Sequence, residues 1–171
     1  MSYLLTPRQN LLLAALPEKD FELLQSSLEL VALSQESAVY ENGGELDLVY
    51  FPTTSVISLL TITNEGEPVK IATIGNEGVF GISMLMGRKI APTRAVVHSA
   101  GYSYRLRAAN LRREFELGSP LRYLLQRYTH TLTAKIDQTT ATTAAKVATV
   151  PTVHPALRSG ISLANSPVPS V

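Results

Sequence analysis

The chain has 171 residues, 45% of them apolar, and a formal charge of +1 from 15 basic and 14 acidic side chains. This length and apolar content suit one domain with a substantial core, and the balanced charge excludes a general attraction to nucleic acid or to an anionic membrane. Because the chain contains no cysteine, disulfides, thiol catalysis and cysteine-held iron–sulfur clusters are excluded.

Two short amphipathic helices are predicted at the N-terminus. Four apolar residues share one helical face before Pro17, and four more recur at helical spacing after it. These two sets are Leu11, Leu12, Ala15 and Leu16, then Phe21, Leu24, Leu28 and Val31. No segment has the layout of a signal peptide or the roughly 20 apolar residues of a membrane span, so we expect a cytoplasmic protein without a membrane contact.

From about residue 37 to residue 107 the apolar pattern alternates, and short β-branched or aromatic segments are separated by turn residues. The predicted strands are Ala38–Glu41, Leu48–Pro52, Val56–Thr63, Pro68–Thr73, Ala95–Ala100 and Tyr102–Leu106. Asn64-Glu65-Gly66 has the composition of a hairpin loop. The pattern predicts a mainly β fold with flanking helices (α+β), in which the strands form an antiparallel β-roll or jelly roll.

Helical character returns after Arg107, first over 108–116 and then from Leu121 to at least Asp137, with Ser119 as a candidate N-cap and Pro120 in the first turn. An apolar stripe of five residues runs along the second helix: Leu121, Leu125, Tyr128, Leu132 and Ile136. Such a stripe is either a dimer seam or a face packed on the helix's own barrel. Its regular spacing favours a dimer interface, and hence a homodimer.

The last 34 residues contain no acidic side chain, and four prolines follow position 150. A helix-turn-helix needs two further helices with an apolar core, which this composition does not supply. We therefore divide the chain into a β-rich domain with its N-terminal helices (1–118), a long helix (119–148) and an irregular or disordered tail (149–171).

Seven segments, in this order, resemble the Crp/Fnr family of transcription regulators. They are Asn10-Leu11-Leu12-Leu13-Ala14-Ala15-Leu16-Pro17, Leu28-Glu29-Leu30-Val31, Tyr40-Glu41-Asn42-Gly43-Gly44, Val49-Tyr50-Phe51-Pro52, Ala72-Thr73-Ile74-Gly75-Asn76-Glu77-Gly78, Arg94-Ala95-Val96-Val97 and Leu125-Gln126-Arg127-Tyr128-Thr129. The resemblance implies a cyclic-nucleotide-binding-like β-roll, a long helix that pairs two subunits, and a C-terminal DNA-binding domain. The resemblance makes residues 1–118 the sensory domain. We expect the family-like sequence to stop at about position 139 through a natural truncation or a shifted reading frame, so that DNA would be bound only through a missing or partner domain.

The resemblance also locates an effector site. In cAMP-binding members a Gly-Glu pair opens a short helix and an Arg of the next strand pairs with the phosphate. Gly81 fits the glycine, but Ile82 stands in place of the Glu, Thr93 takes the position of the Arg, and Arg94 is displaced by one residue to the opposite face of the strand. Ser83 is either an effector ligand or a helix cap. We predict an effector site of Gly81, Ile82, Ser83, Thr93 and Arg94 that does not bind cAMP in the usual way.

Other chemistry has weaker support in the sequence. His98, His130 and His154 are too scattered for a cupin-like metal centre, and no catalytic motif occurs, so we expect a non-enzymatic protein without a certain cofactor. Gly87-Arg88-Lys89 is either an anion site or an exposed turn. Six arginines (105, 107, 112, 113, 122 and 127) form either a solvated surface or a nucleic-acid footprint, and the first of these is favoured.

Two functional hypotheses follow. The first is an effector-sensing and dimerisation domain of a Crp/Fnr-type regulator, in which a small-molecule or nucleotide effector changes the position of the long helix. The second is a stand-alone interaction module that forms mixed dimers with intact regulators. Copurification with a full-length relative and a gel-shift assay with promoter DNA distinguish the two.

Overall fold

The computed structural model describes residues 4–143, which form two antiparallel sheets flanked by four α-helices. The helices are α1 (Leu11–Ala14), α2 (Glu18–Gln25), α3 (Ala108–Glu116) and α4 (Pro120–Thr143), with 3₁₀ helices at Pro7–Gln9 and Ile82–Met86. The strands are β1 (Glu29–Leu33), β2 (Ala38–Tyr40), β3 (Leu48–Pro52), β4 (Val56–Ile62), β5 (Pro68–Ile74), β6 (Arg94–Ser99) and β7 (Gly101–Arg107).

One sheet has the strand order β1-β7-β3 and the other has the order β2-β6-β4-β5, with every pairing antiparallel. The predicted fold class, a mainly β antiparallel roll followed by a long helix, is therefore confirmed. The hairpin at Asn64-Glu65-Gly66 is confirmed too, because Thr61 pairs with Val69 across it and Gly66 has a φ of +83°. Positive φ is readily adopted by glycine, which has no Cβ to clash.

One predicted helix is too long, because α2 ends at Gln25 rather than continuing through Leu28 and Val31. Residues 29–33 form β1 instead, and Val31 pairs with Ser103 of β7. The apolar residues after Gln25 satisfy a helical period and a strand period equally well over so short a run. Pairing with β7 supplies hydrogen bonds that the sequence pattern does not reveal.

The side chain of Asn10 holds the N-terminal segment against the roll. Its Oδ1 accepts hydrogen bonds from the backbone N–H groups of Leu12 and Leu13, and its Nδ2 donates to the carbonyls of Pro52 and Gly78. This residue is fully buried, so its amide links α1, β3 and the loop after β5. The helix predicted around Leu11 is thus a 3₁₀ turn and the short α1, with Asn10 as the N-cap between them.

The apolar stripe of α4 packs within its own chain. All five of its members, Leu121, Leu125, Tyr128, Leu132 and Ile136, are buried in the single chain and belong to its hydrophobic core. Helix α4 contacts β5 and α3, which cover this face. These side chains are already covered by their own roll, which leaves little of their surface for a second subunit, and the dimer seam assigned to them stays a prediction.

Pro120 is the first residue of α4, as its position in the sequence predicts. The hydroxyl of Ser119 donates to the carbonyl of Glu114 in α3, which joins the two helices at the turn. Within residues 4–143, no helix is both long enough and apolar enough to cross a membrane. The predicted tail at 149–171 and the end of the predicted long helix lie outside the described residues.

Candidate effector site

Gly81 opens the short helix Ile82–Met86, as the sequence predicts for the start of the effector segment. It is the N-cap of that helix and has a φ of +99°. A Cβ at this position would lie 3.0 Å from the carbonyl oxygen of Leu48 and 3.3 Å from Cα of Val49. Both the backbone conformation and the close approach to β3 therefore require glycine.

The next two residues of this helix point into the protein. Ile82 and Ser83 are both buried, and Ile82 belongs to the hydrophobic core. Since Gly81 is the N-cap, Ser83 is the second residue of the helix, and the interpretation of Ser83 as the cap is wrong. Its hydroxyl is one of the few polar groups near the cavity described below.

Thr93 and Arg94 lie on opposite faces at the start of β6. Thr93 is buried, and Ala95 and Val97 continue the inward-facing alternation. Arg94 faces outward, where its Nε lies 2.9 Å from Oε2 of Glu41. The structure thus brings four of the five predicted site residues together and separates Arg94 from them.

These four residues line a cavity of about 30 Å³ between the four-stranded sheet, the segment that leads into the short helix, and α4. The lining consists of Leu46, Leu59, Ile74, Val79, Phe80, Gly81, Ile82, Ser83, Ala91, Pro92, Thr93 and Leu132. A few tens of cubic ångströms hold little more than one or two water molecules, whereas pockets for drug-sized ligands span about 300–1,000 Å³. In this conformation the cavity has no room for a nucleotide, and Ser83 and Thr93 supply its side-chain hydroxyls.

Leu132 is the member of this lining that comes from α4. The sequence places it on an apolar stripe but does not indicate that the stripe closes the cavity. Other lining residues, such as Leu46 and Ala91, come from segments without a site signal. Only the alternation of inward-facing residues along the strands could have identified Leu59 and Ile74.

Tyr128 fixes α4 to the loop that follows β5. Burial raises the pKa of its phenol well above the usual value, against the opposing effect of a hydrogen bond from the backbone of Val79, and the nearby charge of Glu77 raises it further. About two helical turns after Tyr128, Nζ of Lys135 lies 3.9 Å from Oε1 of Glu77. The loop of residues 75–78 therefore contacts α4 on one side and, through Gly78, the Asn10 amide on the other.

The histidines do not converge. His98 is on β6 and His130 is on α4, both with exposed side chains, whereas His154 lies outside the described residues. Within residues 4–143, no three His, Asp or Glu side chains are grouped closely enough to hold a metal ion.

The sheet order, the short helix that opens on Gly81 and the long helix over the cavity define the class of this protein. It has the fold of a cyclic-nucleotide-binding-like domain, a jelly roll followed by a long helix. No protein-family model and no curated protein matches the sequence.

Solved structures with this fold are similar to the chain. The N-terminal domain of a transcriptional regulator from Streptomyces coelicolor A3(2) has a TM-score of 0.57 at 19% identity, over 77% of this chain and 92% of that one. The sensor domain of the transcriptional regulator DNR from Pseudomonas aeruginosa has a TM-score of 0.59 at 20% identity, over 74% and 85%. A cyclic nucleotide-binding-like protein from Brucella abortus has a TM-score of 0.50 at 24% identity, over 61% and 90%. At these identities the similarity establishes the shared fold.

Proposed function

We propose that the chain is the effector-sensing and dimerisation part of a Crp/Fnr-type transcription regulator, without catalytic activity and located in the cytoplasm. The observation that carries the proposal is the position of Leu132 of α4 in the wall of the cavity that Gly81, Ser83 and Thr93 also line. A molecule larger than the cavity enters only if α4 or the short helix moves. Two of the similar structures are the sensory or N-terminal parts of transcriptional regulators, which supports the same role.

The site we propose does not accept cAMP in the usual way. Ile82 offers a buried alkyl group where the family resemblance implies a carboxylate, and Thr93 is too short to reach a phosphate as an Arg does. A buried apolar surface does not replace the hydrogen bonds that ribose and phosphate groups lose on leaving water. The effector we propose is compact and largely apolar, with one polar group that Ser83 or Thr93 binds.

Thermal unfolding in the presence of cyclic nucleotides tests this proposal. We expect no change in the midpoint with cAMP or cGMP, each of which carries a single negative charge, because a ligand raises the midpoint only if it binds the folded state. A ligand present at 100 times its Kd would stabilise the fold by about 2.7 kcal/mol, which is several degrees for a domain of this size. A cAMP-binding regulator serves as the positive control, and a clear shift with micromolar cAMP would contradict the proposal.

Dimerisation through α4 also remains a proposal, now on the opposite face of the helix. The exposed outer face carries Tyr123, Gln126, His130 and Ala134, and the guanidinium of Arg127 lies 5.7 Å from the centroid of the Tyr123 ring. A face with one aromatic side chain among polar groups buries little apolar area, so we propose a weak homodimer. DNA binding would require an attached or partner domain, and the division at residues 118 and 148 remains a prediction.

Sedimentation velocity over a range of concentrations tests the proposed dimer. We expect a monomer at low micromolar concentration and partial dimerisation well above it, with Tyr123→Ala shifting the equilibrium further toward monomer because aromatic side chains dominate small interfaces. Tyr102→Ala is the matched control, since Tyr102 is also an exposed tyrosine but lies on β7. A tight dimer that Tyr123→Ala leaves unchanged would place the interface elsewhere.

A further inference from the structure

A second concave site lies beside the end of the short helix Ile82–Met86 and has a different lining from the effector cavity. This cleft has a volume of about 670 Å³, which falls within the range of small-molecule sites. Three segments form its walls: the loop around Asp47, the end of the short helix with Arg88 and Lys89, and the first turn of α3. It is therefore distinct from the effector cavity, although Leu46 lines both.

Four cationic side chains line the basic cleft, namely Arg88, Lys89, Arg107 and Arg112. The chain as a whole is almost neutral, so this grouping is a local concentration of positive charge. Among the described residues, Lys89 and Arg107 form no ion pair, and both are exposed. Two cations without a carboxylate partner in one concave site favour an anionic ligand.

The other two cations, Arg112 and Arg88, are less exposed than Lys89 and Arg107. Nη2 of Arg112 donates to the carbonyl oxygen of Met84 at 2.8 Å, which fixes this guanidinium against the end of the short helix. Arg88 is half-buried, and this burial lowers the pKa of its guanidinium because loss of water disfavours the charged form. An anion beside a partly desolvated cation is attracted more strongly than one beside a cation in bulk water.

The walls of the cleft are tied together by backbone hydrogen bonds. The N–H of Leu46 donates to the carbonyl of Lys89 at 2.9 Å, and the N–H of Ala108 donates to the carbonyl of Asp47 at 2.8 Å. The cations therefore stand on a connected frame and not on a free loop. A preorganised arrangement of this kind reduces the entropy lost when a ligand binds.

Two carboxylates also line the cleft, those of Glu45 and Asp47. Oδ1 of Asp47 already accepts a hydrogen bond from the hydroxyl of Tyr40 at 3.0 Å. With four cations against two carboxylates, the lining keeps an excess of positive charge. Apolar groups of Met84 and Ile90 complete the lining, so the cleft offers both charged and apolar contacts.

We propose that the basic cleft binds a compact, multiply charged, phosphate-bearing small molecule. Guanidinium groups match the geometry of phosphate oxygens, and an ammonium group adds a point charge. The concave shape and the size favour a small ligand over a duplex, which requires an extended surface. The proposal does not depend on the effector cavity or on the regulator role proposed above.

Isothermal titration calorimetry of the full chain with inorganic pyrophosphate tests this site. The informative variant is Lys89→Gln with Arg107→Gln, since both side chains are exposed and the Arg107 side chain makes no helix-capping hydrogen bond. We expect pyrophosphate to bind the wild type and its Kd to rise about tenfold or more in the double variant. Arg113→Gln is the control, because Arg113 is an exposed arginine of α3 that does not line the cleft.

Three outcomes would overturn the proposal. They are no binding of millimolar pyrophosphate to the wild type, an equal loss of affinity in Arg113→Gln, and tighter binding of a short DNA duplex that the double variant abolishes. The first denies the site, the second indicates a diffuse charge effect, and the third replaces the small ligand by nucleic acid. The thermal midpoint of each variant verifies folding, and Lys89→Gln alone, expected to weaken binding severalfold, replaces the double variant if that one unfolds.

Discussion

Replacing Asn10 by alanine is expected to lower the free energy of unfolding by about 4 kcal/mol, because each buried group left without a hydrogen bond costs about 1–3 kcal/mol. Two backbone N–H groups lose their acceptor, and the carbonyls of Pro52 and Gly78 lose their donor. Entry of water into the space reduces the loss. Since domains are stable by only about 5–15 kcal/mol, this single change removes a large part of the total.

Urea denaturation followed by circular dichroism measures this effect. Asn42→Ala is the control, because Asn42 is an exposed asparagine in the turn after β2 and should change stability by no more than about 0.5 kcal/mol. Asn10→Asp separates the two roles of the side chain. A carboxylate still accepts from the N–H groups of Leu12 and Leu13 but cannot donate to the carbonyls, so we expect a loss at least as large as in the alanine variant. Wild-type stability of Asn10→Asp would show that those two donated hydrogen bonds contribute nothing.

Gly78→Ala is expected to destabilise the domain by about 2–3 kcal/mol, the usual cost of overpacking a well-packed region. The added methyl carbon would lie 2.7 Å from Cζ and 2.8 Å from Cε2 of Tyr128, and closer still to the phenol oxygen. The ring of Tyr128 is buried, so the methyl group would press against a side chain that is packed in the core. We therefore expect α4 to be displaced from the loop of residues 75–78, which also loosens the closure of the cavity by Leu132.

A double-mutant cycle with Tyr128→Leu tests whether the clash is with this ring. The single change Tyr128→Leu costs stability on its own, but Gly78→Ala should cost much less in its background, with a coupling of about 1–2 kcal/mol. The measurement is the urea midpoint of the wild type, both single variants and the double variant. Strict additivity would mean that the methyl group is accommodated without contact with Tyr128.

Much of the fold was predictable because each strand of the roll has one inward face. Strand β3 and helix α3 have the predicted bounds. Strands β2, β4 and β5 differ from the prediction by one residue at one end, and β6 and β7 differ by one residue at each end. Alternation with a period of two and turn residues such as those around Gly66 determine these elements locally. Strand β1 was missed since its five residues also fit the apolar period of the preceding helix.

The surface that covers the apolar stripe of α4 was not predictable from the spacing of its residues. Periodicity shows that Leu125 and Ile136 share an apolar face, but it does not show which surface covers that face. The structure buries both within the chain. The same limit applies to the cavity. The one-residue displacement of Arg94 in the sequence correctly indicated that its side chain faces outward. The position of Leu132 in the cavity wall, in contrast, depends on how α4 lies across the roll.

The sequence pattern also did not reveal the long-range contacts of polar side chains. Asn10 precedes a run of leucines and gives an N-cap signal, yet its two long-range hydrogen bonds depend on β3 and on the loop after β5, both more than 40 residues away. The cations of the basic cleft likewise come from two segments that are separated in sequence. Arg88 and Arg112 meet only because the short helix and α3 pack together.

The apolar stripe of α4 packs on its own roll, and its Leu132 lines the cavity that Gly81 and Thr93 also line. Hydrogen–deuterium exchange of the amides of residues 121–136 tests it, measured at concentrations where sedimentation shows a monomer and again well above them. We predict slow exchange that is the same at both concentrations, because the protection comes from packing within one chain. Rapid exchange in the monomer that becomes slow only on association would contradict the claim and return the stripe to a dimer interface.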